Sequence, residues 1–239
     1  MKIRKNHIKV VTVVFLVVFL YSFTNNRNER RTVIKEIDID FTDDDVLFIS
    51  REAVNKLLIQ NDGGVTGVAK EKVVLNTLEQ ALNSSEMIQY ADVYVTVNGQ
   101  LKVKIKQKTP IARVDGAVSF YIDTQGGIMP LSSVYSARVP LVTGVTDKKR
   151  LTDVYTLAMY IYEDEFLRKN VIGIHRQGQH FELRFRVEDF IIKLGDVQHL
   201  STKFNNLKAF YQKAYKDHTL HTYSMVNLAY NNQIVGTKK

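Results

Sequence analysis

Cysteine and tryptophan are absent from the 239 residues, and only three prolines occur. Without cysteine there is no disulfide framework, no thiol nucleophile, no thiolate-ligated zinc and no iron–sulfur cluster. Low-complexity tracts are missing as well, and no segment repeats with a period of roughly 20–50 residues, which excludes solenoids and propellers. What is present is 45% hydrophobic residues in a length sufficient for one large domain or two small ones, the composition of folded protein.

The formal charge of +8 invites a nucleic-acid reading. Its distribution removes that reading. Lys2, Arg4, Lys5, Lys9, Arg27, Arg30 and Arg31 face Glu29 alone, so residues 1–31 carry +6 and the rest only 26 Lys+Arg against 24 Asp+Glu. These basic residues flank the most apolar run, from Ile8 to Phe23, whose sixteen positions rise roughly 24 Å as a helix, workable in a slightly thinned bilayer if Lys9 snorkels. Ser22-Phe23-Thr24-Asn25 offers no small-x-small cleavage pattern, which favours an uncleaved transmembrane helix over a signal peptide. The short tail stays in the cytoplasm more readily than a 200-residue domain, so the C-terminal bulk is expected outside.

Beyond the apolar run two domains are expected. Residues 33–41 alternate from Lys35 onward, placing Ile37, Ile39 and Phe41 on one face of a half-buried strand. Ser50 is the expected N-cap of a helix burying Ala53, Val54, Leu57 and Leu58, ended by Asn61-Asp62-Gly63-Gly64. A second helix is expected to bury Val73, Val74, Thr77, Leu78, Ala81 and Leu82 and to stop at Asn83-Ser84-Ser85. Val93, Val95 and Val97 then alternate on one strand, and Leu101, Val103 and Ile105 on another, around Asn98-Gly99. Pairing Val97 with Leu101, Val95 with Val103 and Val93 with Ile105 keeps Lys102, Lys104 and Lys106 together on a solvent face and demands a three-residue connection or a bulge.

After Thr109-Pro110 the pattern changes to short strands and turns. Strands are expected at 119–123 and 128–131, at 171–175 and 180–187, and at 189–194, with a last one from Tyr223 through Val226, Leu228 and Tyr230 to Val235. Helical stripes are carried by Leu151, Val154, Leu157, Ala158 and Ile161, and by Leu200, Phe204, Leu207, Tyr211 and Ala214.

Signatures of catalysis do not assemble. Gly63-Gly64-Val65-Thr66-Gly67 lacks the lysine of a phosphate loop and follows a helix. No nucleophile elbow and no S-x-x-K sequence occurs. His175 with His180 and His218 with His221 lack a third metal ligand, Asp43-Asp44-Asp45 lacks the remainder of a calcium loop, and Glu163, Asp164 and Glu165 are consecutive and cannot converge. The Lys102, Lys104, Lys106 stripe meets no lysine on its facing strand and no aromatic interleaving, so it reads as a solvated sheet face.

The order of features nevertheless resembles a known family. A short basic tail, one span and a strand-helix-helix-strand-strand module precede Leu78-Glu79-Gln80-Ala81-Leu82 and Ile88-Gln89-Tyr90-Ala91-Asp92-Val93; then come Gln107-Lys108-Thr109-Pro110-Ile111-Ala112 and Tyr121-Ile122-Asp123-Thr124-Gln125-Gly126. Val139-Pro140-Leu141-Val142-Thr143-Gly144, Ile192-Lys193-Leu194-Gly195 and Lys203-Phe204-Asn205-Asn206-Leu207 follow. Together they look like the bacterial cell-division family FtsQ/DivIB, whose first extracytoplasmic domain is a POTRA domain, and Gly127-Ile128-Met129-Pro130 is similar to its Bacteroidetes branch. Glu86-Met87-Ile88 departs from relatives that carry proline there.

The resemblance implies an α+β chain with a cytoplasmic tail at 1–7, a transmembrane helix at 8–24, a linker at 25–32, a β-α-α-β-β POTRA domain at 33–108 and a mixed β domain at 109–239 with an antiparallel sheet and two packing helices. It implies a noncatalytic inner-membrane scaffold at the division site that binds FtsB and FtsL, with FtsK and other divisome members as further candidates, and takes no cofactor, metal, nucleic acid or small-molecule substrate. In the family FtsB adds a strand to the last strand of the β domain. Carried over, that segment is 225–232, including Met225, Val226, Leu228, Tyr230 and Asn232, with Tyr223 before it and Lys203 and Lys208 on the neighbouring helix. The alternatives are a POTRA-bearing adaptor in outer-membrane assembly or secretion and a membrane-anchored cell-wall hydrolase.

Overall fold

The structure, a computed structural model, describes residues 2–32, 36–42, 46–62, 66–67, 73–145, 151–230 and 233–239; within the N-terminal helix it describes the side chains of 7 and 9–24. The expected features at Val33 to Lys35, at Asp43-Asp44-Asp45 and at Gly63-Gly64-Val65 fall outside these residues. The chain divides into two compact units, 1–107 and 108–239.

Helix α1 (Lys2–Thr32) contains the expected apolar run, and its large apolar side chains from Val10 to Phe23 are exposed. Among the described residues no helix is long and apolar enough to cross a membrane.

The rest of the first unit is β1 (Glu36–Phe41), α2 (Arg51–Asp62), α3 (Leu75–Asn83), β2 (Ile88–Val95) and β3 (Gln100–Gln107), the expected β-α-α-β-β order. Its sheet runs β1-β3-β2, with β1 parallel and β2 antiparallel to β3. Ser50 caps α2, its Oγ accepting from the Ala53 amide at 3.1 Å. Val54 and Leu58 are buried as expected, but Ala53 is exposed. The second helix starts at Leu75, two residues later than its apolar pattern suggests, leaving Val74 and Thr77 exposed while Leu78 and Leu82 fill the core.

The hairpin has the expected three-residue connection, shifted by one position: Val95 opposes Leu101, Val93 opposes Val103 and Ala91 opposes Ile105. Thr96 causes the shift. Its carbonyl accepts from Gly99 N at 3.1 Å and its Oγ1 accepts from Gln100 N at 3.1 Å, closing the loop around Val97 to Gly99. Val97 therefore sits at the tip, exposed. Both faces keep their expected character, since the shift moves each pairing by two residues. Gln107 ends β3 nearly buried, and its amide pins the loop before α2: Oε1 accepts from Phe48 N at 2.7 Å and Ile49 N at 3.1 Å, and Nε2 donates to the Val46 carbonyl at 3.2 Å.

The second unit holds a nine-stranded sheet, ordered β12-β11-β10-β9-β8-β7-β4-β5-β6. Its strands are β4 (Pro110–Val114), β5 (Phe120–Asp123), β6 (Ile128–Pro130), β7 (Leu141–Thr143), β8 (Val171–Gln177), β9 (His180–Phe185), β10 (Ile191–Gly195), β11 (Tyr223–Asn227) and β12 (Val235–Lys238). The sheet is mixed, with parallel pairings of β4 with β7, β7 with β8 and β10 with β11, where an antiparallel sheet was expected. Helices α4 (Leu151–Glu163), α5 (Glu165–Asn170) and α6 (Leu200–Lys216) contribute to one core with the row Val114, Val142, Ile174, Leu183, Ile192 and Val226. The short α5 is additional to the two expected helices. The acidic triplet that seemed a helix end is in part its start, Asp164 Oδ1 accepting from Leu167 N at 3.0 Å.

Two turn glycines in this unit are sterically required. Gly127 packs so closely on the buried Asp123 that a Cβ would lie 2.7 Å from its Oδ2, while Asp123 Oδ1 accepts from the amides of Gln125 and Gly127, each at 2.8 Å. Gly144, at φ +79, would place a Cβ 2.1 Å from the Arg176 carbonyl oxygen.

Candidate partner-binding edge

The expected last strand, running unbroken from Tyr223 to Val235, is two strands. The chain leaves β11 at Asn227 and returns antiparallel as β12, so that Asn227 opposes Val235, Val226 opposes Gly236 and Met225 opposes Thr237. β11 is thus internal, parallel to β10 on its other side. Val226 and Leu228 lie in the core, Met225 is half-buried, and the Leu228 amide donates to the Lys193 carbonyl at 2.8 Å. The sheet edge is β12, all four residues of which are exposed.

Three of the anticipated residues come together around a hollow of about 180 Å³: Lys203, Leu228 and Tyr230, joined by His199, Thr202, Asn206, Gln233 and Ile234. Tyr230 is exposed and lies beyond β11. Asn232 is outside the described residues. Lys208 does not share this hollow; its ammonium donates to Asp164 Oδ2, tying α6 to the start of α5.

Lys203 is committed internally as well. Its Nζ donates to the Asp196 carbonyl at 2.8 Å and to Asp196 Oδ1 at 2.7 Å, and that hydrogen bond holds the Asp196 carboxyl below its ordinary range. The turn it braces depends on Gly195, at φ +76, where a Cβ would press on Ala229 Cβ at 3.1 Å. Gly195 and Lys203, from two separate sequence motifs, therefore meet at the chain segment that follows β11.

Tyr223 sets how β12 docks. Its ring packs edge-on against Phe210 with centroids 5.0 Å apart, and a Cβ on Gly236 would lie 2.6 Å from its Cε1. Ser224 Oγ donates to the carbonyls of Thr237 at 3.2 Å and Lys238 at 3.3 Å, and Lys239 N donates to the Thr222 carbonyl at 2.8 Å. The period-2 alternation of strand backbone then turns the neighbouring Lys238 amide away from β11, toward the open side. The last strand expected from sequence ends at Val235, where the structure begins β12. Gly236, small enough to pass beneath a tyrosine, was the available sign of a separate one.

Among the described residues no group of three or more His, Cys, Asp or Glu could hold a metal ion. His175 Nδ1 lies 2.9 Å from Thr143 Oγ1, which accounts for its contact across the sheet. The lysine face of β3 is interleaved with acid: Asp38 opposes Lys102, Asp40 and Asp92 flank Lys104, and Lys102 Nζ reaches Asp38 Oδ2 at 2.8 Å.

Residues 32–106 match the family described as POTRA-like domain, and residues 109–237 match FtsQ/DivIB, C-terminal related. No curated protein matches the chain. FtsQ/DivIB is a family of noncatalytic cell-division proteins. With more than half of its length, nearly all of the nine-stranded unit, falling within that match, the chain belongs to the FtsQ/DivIB family.

Proposed function

We propose that this protein is a noncatalytic scaffold of the bacterial division machinery, anchored in the cytoplasmic membrane by α1 with its N-terminus inside, and that it binds the FtsB–FtsL pair through the edge of its nine-stranded sheet. The observation that carries this reading is the open edge strand Val235–Lys238 beside the hollow at Lys203, Leu228 and Tyr230. An incoming strand gains affinity from the unpaired backbone groups of β12 and specificity from side chains seated beside it. Leu228 and Tyr230 then contribute as walls of the hollow, while Lys203 shapes it through Asp196 and Lys208 holds the helix behind. The exposed apolar side chains of α1 suit burial in lipid, where a short apolar run is accommodated by local thinning and by snorkelling of Lys9.

Lys238→Pro tests the edge, because it deletes an outward-facing donor and leaves the β11 pairing bonds in place. One backbone hydrogen bond is worth about 1 kcal/mol, so capture of the FtsB–FtsL pair by the full chain should weaken at least about fivefold, whereas Lys238→Ala, which keeps the amide, should bind as the native chain does. Undiminished capture by the proline variant would remove strand addition at β12. Septal localisation of a fluorescent fusion, with filamentation on depletion, tests the division role itself.

A further inference from the structure

The helices of the second unit share a core with one face of the nine-stranded sheet. On the opposite face, register places Met129, Tyr121, Arg113, Leu141, Gly173, Arg184, Ile191 and Met225 in one row across the strands. One end of this face is closed by the chain itself. Segment 131–140 crosses it, with Ala137 N donating to Tyr121 Oη at 3.1 Å, and Tyr121 and Met129 are buried beneath.

The cover stops at β7. Leu141 and Ile172 are 41% and 42% exposed around a hollow of about 310 Å³, also lined by Thr143, Gly173, His175 and Arg184. A register shift between Val171 and Gly173 explains Ile172: Val171 and Ile174 both enter the core, so the bulge turns the intervening residues outward. Gly173 forms the floor. Charge on this face is net basic, with Arg113, Arg184 and Lys193 against Glu182 and, just past the end of β4, Asp115. The side chains of Arg113 and Arg184 make no hydrogen bond or ion pair among the described residues, and Arg113 Nε is buried without a partner. An apolar dish between two unpaired guanidiniums is complementary to a carboxylate-bearing apolar segment.

We propose that this dish is a second docking site, for an extended acidic segment of a partner protein that crosses the strands and seats one apolar side chain over Gly173. Arg113 and Arg184 stand three strands apart, roughly 14 Å, which an extended chain spans in about four residues. The segment therefore carries carboxylates at the first and fifth positions and an apolar residue at the third, all on one face of the extended chain.

Fluorescence anisotropy with the full chain in detergent micelles tests this, using a labelled peptide containing Glu-Ser-Leu-Ser-Glu and counterparts with Lys-Ser-Leu-Ser-Lys and Glu-Ser-Ser-Ser-Glu. The first should bind at least tenfold more tightly than either counterpart, and Arg184→Glu should abolish its advantage over the lysine peptide. Gly173→Val fills the floor, its Cβ lying nearest the Arg184 side chain at an ordinary contact distance of 3.5 Å, and should weaken binding at least fivefold with an unchanged circular-dichroism melt. Ile172→Ser, at an exposed position, should weaken it as well. Lys238→Pro should leave it untouched, which separates this site from the sheet edge. Absence of binding, equal affinity for the acidic and basic peptides, or indifference to both Gly173→Val and Ile172→Ser would overturn the proposal.

Discussion

The two sheets treat their edges in opposite ways. In the three-stranded sheet both edge strands are bonded by the unit's own side chains: the Arg51 guanidinium donates to the Ile39 carbonyl on β1, and α3 leans on β2 through Glu79 and Asn83. Asn83 is bidentate toward one residue, Oδ1 accepting from Ala91 N at 2.8 Å and Nδ2 donating to Ala91 O at 3.3 Å, while Glu79 Oε1 accepts from Val93 N at 3.0 Å. At β12 of the nine-stranded sheet the described side-chain bonds come from Ser224, on the paired side, and all four residues are exposed. An exposed strand edge is a hazard that proteins usually blunt. Both edges of the small sheet are thus covered, while β12, one of the two edges of the large sheet, stands exposed, and it is there that the proposed strand addition would occur.

The cores differ in the same sense. Among the described residues the small unit buries thirteen aliphatic residues and no aromatic one, whereas the large core counts 26, five of them phenylalanines, and extends into a ring network through Phe166, Phe210, Tyr211 and Tyr223. A small aliphatic core has little to lose. Leu101→Ala, at a fully buried position on the central strand, should cost about 2–5 kcal/mol, a large share of the ~5–15 kcal/mol that a domain typically holds. Calorimetry should then resolve a separate, earlier transition for the small unit while the large unit melts as before. A single transition moving as a whole would show that the two units do not unfold independently.

Asn83→Ala attacks the edge contrast itself. It removes both bonds to Ala91 and should cost about 1–3 kcal/mol where those backbone groups are left unsatisfied. Hydrogen exchange at the Ala91 amide should accelerate, and light scattering should reveal self-association through β2 that the native chain does not show. If the exposed β2 edge neither exchanges faster nor associates, the blocking role assigned to α3 is wrong.

How far these edges could be read in the sequence follows from what each depends on. The alternation in 101–106 reports one strand's local periodicity, and it was read correctly even though the pairing slipped by two, because the slip is decided by the Thr96 side chain and not by apolar pattern. β7 is three residues long and paired in parallel with distant segments on both sides, so nothing local distinguishes it from loop, and β4, although antiparallel to the nearby β5, is buried almost throughout and lacks the two-residue alternation. The expected last strand runs past β11 to Val235 because Val226, Leu228 and Tyr230 keep the two-residue spacing past the point where the chain turns; Leu228 is buried beyond the end of β11 and Tyr230 is exposed. The candidate site shifted accordingly, from the internal strand to the one that follows it. Motif residues such as Gln107, Asp123 and Gly144 were visible as a pattern, but their work is to pin loops, which requires the folded neighbours to recognise.

Ion pairs extend the comparison to electrostatics. Burial raises the tendency of Asp164 to hold its proton, but the Lys208 ammonium and the amide of Leu167 outweigh it, and the carboxyl lies below its ordinary range. A carboxyl depressed in the folded state contributes stability above its unfolded value, near pH 4, and loses it as pH falls through the folded value below that. Asp164→Asn retains a competent helix cap while removing the charge, so it should flatten the acid limb of a stability-against-pH profile for the large unit and cost about 1 kcal/mol at neutral pH. An unchanged acid limb would place the linkage elsewhere.

Asp38 is the exposed counterpart in the small unit. The hydrogen bond and charge of Lys102 hold its carboxyl below the usual range, but the pair stands in water on an open sheet face. Asp38→Asn should therefore produce the smallest stability change of the set, and that change should vanish in 1 M salt, where the Debye length is about 3 Å. Its larger consequence concerns recognition, because Asp38, Asp40 and Asp92 are what keep Lys102, Lys104 and Lys106 from presenting an uninterrupted basic stripe. Retention on a heparin column at low salt should rise on Asp38→Asn and rise again when Asp40→Asn is added, with no comparable gain from Asp164→Asn in the other unit. Equal retention of all three would mean that the carboxylates do not mask the lysines, and the contrast between a neutralised face on the small sheet and an unpaired basic face on the large one would fail.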